Sequence, residues 1–224
     1  MKNIGRRTIF RRAFGGLLLS AISRDVKAYA DTFKMPTSPR EAMTLLEQGN
    51  GRFQAKQLPS LQEDLRILRT NTVEEQKPFA AILSCADSRV PVELVFDQTI
   101  GHLFVVRVAG NFATTATIAS LEYGAAVLGV KAMLVIGHRN CGAVKATMSA
   151  KPVPGQISSL YQYIHPALKA GEMDANLGSR QNAKYQADLL RASSPVLASL
   201  IKEGKMSLDA AYYDVETGKV EILK

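Results

Sequence analysis

Three short apolar runs constrain the fold of this chain more than any other feature: residues 79–84 (FAAILS), 103–108 (LFVVRV) and 132–137 (AMLVIG). All are rich in β-formers, and they alternate little between apolar and polar residues. That is the pattern of strands covered on both faces, as in a parallel sheet. Between the last two runs, the apolar spacing over residues 115–128 predicts a helix, and strand, helix and strand make a βαβ unit. The tail (LDAAYYDVETGKVEIL, residues 208–223) alternates instead, which predicts two strands joined by a turn at 216–219 with Gly218 as its flexible position. The resulting fold class is α/β, a mainly parallel central sheet with an antiparallel edge strand, flanked by helices.

Helix signals fill the gaps. Ser38-Pro39-Arg40-Glu41 reads as N-cap, N1 proline and capping-box acid before a helix carrying Ala42, Leu45, Leu46 and Phe53. That helix should pack on a neighbouring surface, its own or a partner subunit's. A second helix is expected over residues 61–72 and a long one over 182–203, interrupted near Pro195. At 224 residues the chain suffices for one such domain.

The formal net charge of +8 invites a nucleic-acid reading until it is located. Residues 1–30 hold seven of the 28 Lys/Arg and only one acid, Asp25, so the rest of the chain carries 21 basic against 19 acidic residues. The excess belongs to the N-terminus and not to a binding face, which argues against nucleic acid as a partner. There a basic stretch (GRRTIFRR) precedes an apolar run from Phe14 to Ile22, and Ala28-Tyr29-Ala30 offers a small-x-small cleavage site. The apolar run is too short to anchor in a bilayer. Residues 1–30 therefore read as a cleavable export signal, with Arg6-Arg7 resembling a twin-arginine motif, and residues 31–224 as the domain. The expected destination is the periplasm or an equivalent lumen, with no stable membrane insertion after the signal is removed.

The chain has two cysteines, Cys85 and Cys141, each placed just beyond a predicted parallel strand, the rim where α/β sheets gather ligands. His138 precedes Cys141 by three residues, a spacing that can chelate one ion. Two thiolates and one imidazole make a zinc site with an open fourth position, the catalytic pattern. A Cys85–Cys141 disulfide, which export would permit, and two inert buried thiols remain open alternatives. Beside Cys85, Asp87 and Arg89 lie two apart, so on an extended loop they share a side, where an arginine fork can orient a carboxylate.

The runs CADSRVP, VVRVAGN, SLEYGAAVLGV and GHRNCGAV, in this order, strongly resemble the β-carbonic anhydrases, and the likeness extends over about residues 38–223. The resemblance implies zinc held by Cys85, His138 and Cys141. It also implies an Asp87–Arg89 dyad in which Asp87 either orients the metal's water or closes onto zinc as a fourth ligand. The implied reaction is reversible hydration of carbon dioxide to bicarbonate and a proton, favoured at alkaline pH because two thiolates enrich the metal in charge. Gln76, Phe104 and Tyr123 fall at substrate-pocket positions of the plant-type members, a pocket built across a dimer interface, so a homodimer or higher even oligomer is implied. Ile82 stands where the bicarbonate-regulated subclass has Trp, although Arg107 matches another residue of that regulatory site; weak or absent bicarbonate regulation follows. Arg139-Asn140 replaces the usual Ser-x, adding a charge near the mouth that reads as solvated. The same scaffold also suits hydrolysis of COS or CS₂, and a non-catalytic zinc-binding module is the alternative of another kind.

Overall fold

The computed structural model describes residues 33–60 and 74–224. The expected export signal (1–30) and the expected helix over 61–72 lie outside these residues. Five strands among the described residues form one sheet: β1 (Ala80–Cys85), β2 (Leu103–Val108), β3 (Ala132–His138), β4 (Ser207–Tyr213) and β5 (Val220–Leu223). Their order is β2-β1-β3-β4-β5, with every neighbouring pair parallel except the last. The expected architecture is the observed one.

Both ligand-bearing strands end one residue later than their apolar runs, so Cys85 and His138 are the final residues of β1 and β3. The chain lays β2 on one side of β1 and then crosses to place β3 on the other. Strand order therefore reverses between β1 and β3, and ligands of open α/β sheets collect outside the carboxyl ends of strands at such a reversal.

The lack of alternation in the strands has its cause in the two layers of helix. On one face Ala81, Leu83, Met133, Val135, Leu208 and Ala210 pack under α3 (Thr115–Glu122), α6 (Ala175–Ser193) and α7 (Pro195–Lys202), through Leu121, Ala183, Ala187, Leu190 and Leu197. On the other, Ala80, Ile82, Leu134, Ile136 and Ala211 pack under α1 (Pro39–Gln54) and the single turn α2 (Val92–Val95). Each fully buried Leu or Ile contributes roughly 1.5–3 kcal/mol. Helix α1 thus covers its own chain's sheet, through Ala42 and Leu46.

Local signals explain most boundaries. Ser38 caps α1, accepting from Glu41 N at 3.3 Å, but the Glu41 carboxylate reaches Thr37 N and Oγ1 (2.7 and 3.0 Å) and not the cap residue's own amide. The capping box is shifted by one residue. The helix expected over 115–128 is α-helical only to Glu122 and continues as a π-helical turn over Tyr123–Val127. Helix α6 begins seven residues before the expected 182, because Asp174 caps it by accepting from Asn176 N at 2.8 Å. It ends where Ser194 caps α7 and Pro195 offers no N–H to continue. Between α4 (Gly142–Ser149) and α6, a short helix α5 (Tyr161–Ile164) lies against the carboxyl rim.

Candidate active site

The sheet reversal brings the three expected ligands together. Cys85 ends β1, His138 ends β3, and Cys141, three residues beyond His138, is the N-cap of α4. All three are buried, and their ligand atoms lie within 4.8 Å of one another. The sulfurs are 4.0 Å apart and free, so the disulfide alternative is excluded. Two sulfurs on a tetrahedral zinc at Zn–S ~2.3 Å stand ~3.8 Å apart, close to the observed spacing.

His138 fits the same ion. Its Nδ1 lies 3.0 Å from the Arg139 carbonyl, which can only accept, so Nδ1 carries the proton and Nε2 keeps its lone pair. Nε2 is buried with no hydrogen-bond partner, a costly arrangement for a histidine that binds nothing. The thiols add an electrostatic argument. Cys141 beside it, with the Gly110 and Asp87 amides, drives Cys85 toward the thiolate; Cys85 and burial in turn push Cys141 upward. Two thiolates at this distance need a cation between them. The residues present fit Zn²⁺.

Asp87 and Arg89 meet in a turn and not along an extended loop, since Val90 N donates to Asp87 O. Arg89 Nε and its backbone amide each donate to Asp87 Oδ1 at 2.9 Å, and NH2 donates to Oδ2 at 2.8 Å. These bonds hold the Asp87 carboxyl well below the usual carboxylate range. Asp87 Oδ2 stands 3.9 Å from His138 Nε2, beside the three ligands rather than in their cluster. Arg89 NH2 also reaches Asn140 O, tying the Asp87 turn to the loop that presents Cys141.

Two further arginines shape the rim. Arg107 donates to Cys85 O at 3.0 Å and to Asp87 O at 2.8 Å, so it splints the backbone on both sides of the Cys85–Asp87 turn. Arg139, expected to be solvated, pairs instead with Glu216 (2.5 Å) and Asp214 (3.3 Å) in the β4–β5 turn. Its charge is neutralised there.

The three residues expected in the substrate pocket lie elsewhere on the chain. Phe104 packs on Tyr123 with ring centroids 6.2 Å apart. Gln76 and Tyr123 line an open cavity of about 650 Å³ with Glu74, Lys77 and Val127, and none of the three ligands borders it. Tyr123 and Val127 are 47% and 66% exposed, large apolar side chains on one bare surface.

Sequence reasoning missed Asn182 and Gln186, which are wholly buried on α6 and reach the loop behind Cys85. The signal was present: two amides four apart on the helix face that also carries Ala183, Ala187 and Leu190.

The fold and this cluster define a metal-dependent enzyme of the kind that activates water at an open zinc position. A family model described as carbonic anhydrase matches residues 80–220. A carbonic anhydrase of Mycolicibacterium smegmatis is 34% identical over 197 residues, spanning 84% of this chain and 95% of the relative. Carbonic anhydrase 2 of Mycobacterium tuberculosis is 33% identical over 193 residues, spanning 82% and 92%. Among solved structures, a Coccomyxa β-carbonic anhydrase in complex with acetazolamide matches with a TM-score of 0.63 at 27% identity, covering 70% of this chain and 77% of that one. The chain belongs to the β-carbonic anhydrase family.

Proposed function

We propose that this protein catalyses the reversible hydration of carbon dioxide to bicarbonate and a proton, with zinc held by Cys85, His138 and Cys141. The observation that carries the reading is an ionised carboxylate, gripped by an arginine, directly beside a buried Cys₂His cluster. Mere zinc retention requires neither Asp87 nor Arg89. Zinc bound there supplies a Lewis acid and a water that ionises near neutral pH. The residues do the rest. Asp87 stays ionised and can only accept a hydrogen bond, so it fixes the proton of an oxygen nucleophile and turns a lone pair toward the substrate. Arg89 holds both Asp87 oxygens in place beside the ligand cluster. Val144, Ile164 and Phe112 pack around the two sulfurs and keep bulk water off them.

The pocket is completed by a second copy of the chain. Gln76 and Tyr123 lie apart from the ligands of their own chain on an open surface that Phe104 backs, so the three serve as substrate-binding residues only when a partner sets them over its own zinc. A homodimer, or a higher even oligomer, is the proposed active form. Export is proposed from residues 1–30, with the twin-arginine-like Arg6-Arg7 directing the chain to the periplasm. No helix among the described residues is long and apolar enough to cross a membrane.

The test is zinc content of the purified protein together with stopped-flow hydration of carbon dioxide for wild type and Asp87→Ala. Stoichiometric zinc in both, with hydration in Asp87→Ala reduced about 10²–10⁴-fold, is the expected result. Zinc without hydration in the wild type would sink the enzyme reading. Faster turnover of COS or CS₂ in side-by-side assays would move the substrate to those heterocumulenes.

A further inference from the structure

Asn182 and Gln186 sit one turn apart on α6 and are 0% exposed, in a buried stripe shared with Ala183, Ala187 and Leu190. Burying a side-chain amide is costly unless its groups are paired, and here the partners lie in the loop after β2 and on α5. Asn182 Nδ2 donates to Gly110 O at 2.8 Å. Gln186 Oε1 accepts from Ala113 N at 2.9 Å, and its Nε2 donates to Asn182 Oδ1 (3.1 Å) and Tyr163 O (2.8 Å). The pair thus clamps residues 110–113 at both ends. Gly110 has a φ of +97°, and a Cβ there would meet Ile164 Cδ1 at 2.5 Å, so its backbone is held from the opposite side by α5. Clamped this way, the Gly110 amide donates to Cys85 Sγ at 3.2 Å.

We propose that Asn182, backed by Gln186, is a positioning residue for the metal centre, fixing the Gly110 amide as a hydrogen-bond donor to the Cys85 sulfur. An amide aimed at a thiolate draws charge from it, so the sulfur donates less to the cation and the cation keeps more of its Lewis acidity. The inference rests on the zinc reading above.

The experiment compares wild type, Asn182→Ala, Gln186→Met and Leu190→Ala. Leu190 is buried on the same helix but makes no bond to the loop, so its variant controls for lost stability. Each protein is titrated with a zinc chelator, and the cobalt-loaded form is scanned for its thiolate-to-metal charge-transfer band. A wild type that holds no zinc refutes the zinc reading and leaves nothing to position. With zinc in the wild type, Asn182→Ala is expected to release it about 10–100-fold more readily, because the loop that holds Cys85 in place is no longer clamped and this loss of orientation outweighs the sulfur's stronger donation. The cobalt band should move to longer wavelength, because a thiolate stripped of its donor gives up charge more easily. Gln186→Met, which keeps the volume and drops the clamp, moves both readouts in the same direction by less. Leu190→Ala lowers the melting temperature and leaves the band in place. An Asn182→Ala protein with wild-type zinc retention and band overturns the proposal, as does an equal band shift in Leu190→Ala. Should Asn182→Ala not fold, an unshifted band in Gln186→Met overturns it equally.

Discussion

Arg89 grips both carboxylate oxygens of Asp87, through Nε at 2.9 Å and NH2 at 2.8 Å, while Asp87 Oδ2 stands 3.9 Å from His138 Nε2. The carboxylate lies beside the three expected ligands, tied to the guanidinium through both oxygens. A fork is needed for this, since two parallel bonds fix the plane of the carboxylate as well as its place.

Replacing that fork by a single point charge should show its worth. Arg89→Lys is expected to retain stoichiometric zinc while hydration of carbon dioxide falls about 10²-fold, the cost of an ångström-scale misplacement of a catalytic group. Stopped-flow rates alongside zinc analysis check this, and a near-wild-type rate would dismiss the orienting role.

The bare surface around Tyr123 and Val127 makes its own prediction. Val127→Glu puts an unpaired charge where the partner is proposed to sit and should weaken self-association by about 10²-fold or more. Sedimentation should then show monomers that still carry zinc yet have lost most activity. An active monomer would mean the pocket is complete within one chain.

His102 lies under Phe33, with ring centroids 4.2 Å apart, and burial lowers its pKa from 6.5 to about 4. The fold resists a proton that the unfolded chain accepts, so the contribution is full above pH 6.5 and is lost as pH falls toward 4. Between pH 7.5 and pH 5 the loss attributable to His102 should be about 2 kcal/mol. Urea denaturation at both pH values is the measurement, and His102→Leu should remove this part of the difference. An unchanged pH dependence in the variant would contradict the assignment.

Gly137 precedes His138, and a Cβ there would lie 2.5 Å from Ser179 O on α6. Backbone cannot swing aside as a side chain can. Gly137→Ala should push α6 off β3, destabilising the fold by about 1–3 kcal/mol and lowering Tm by roughly 2–4 °C for each of those kcal/mol. A thermal melt decides it.

The sheet and the three ligands were legible in the sequence because both are written locally. Apolar runs with little alternation declare strands covered on two faces, and GHRNCGAV carries two ligands within four residues. Local signals failed where an outcome depended on what lay opposite. Glu41 bonded to Thr37 and not to its cap, and Arg139 was neutralised by Asp214 and Glu216, which are 75 and 77 residues away along the chain.

By itself, then, the sequence determined a parallel α/β sheet, the donor set Cys85, His138 and Cys141, and the carboxylate–arginine pair beside them. Only the tertiary structure chose metal over disulfide, by setting the sulfurs 4.0 Å apart and leaving His138 Nε2 buried without a partner. It alone separated Gln76 and Tyr123 from the ligands and set Asn182 behind Cys85. The reason is physical. Residue types state which bonds are chemically available, whereas distance and burial decide which are made, and both arise only when β1, β3 and α6 pack together.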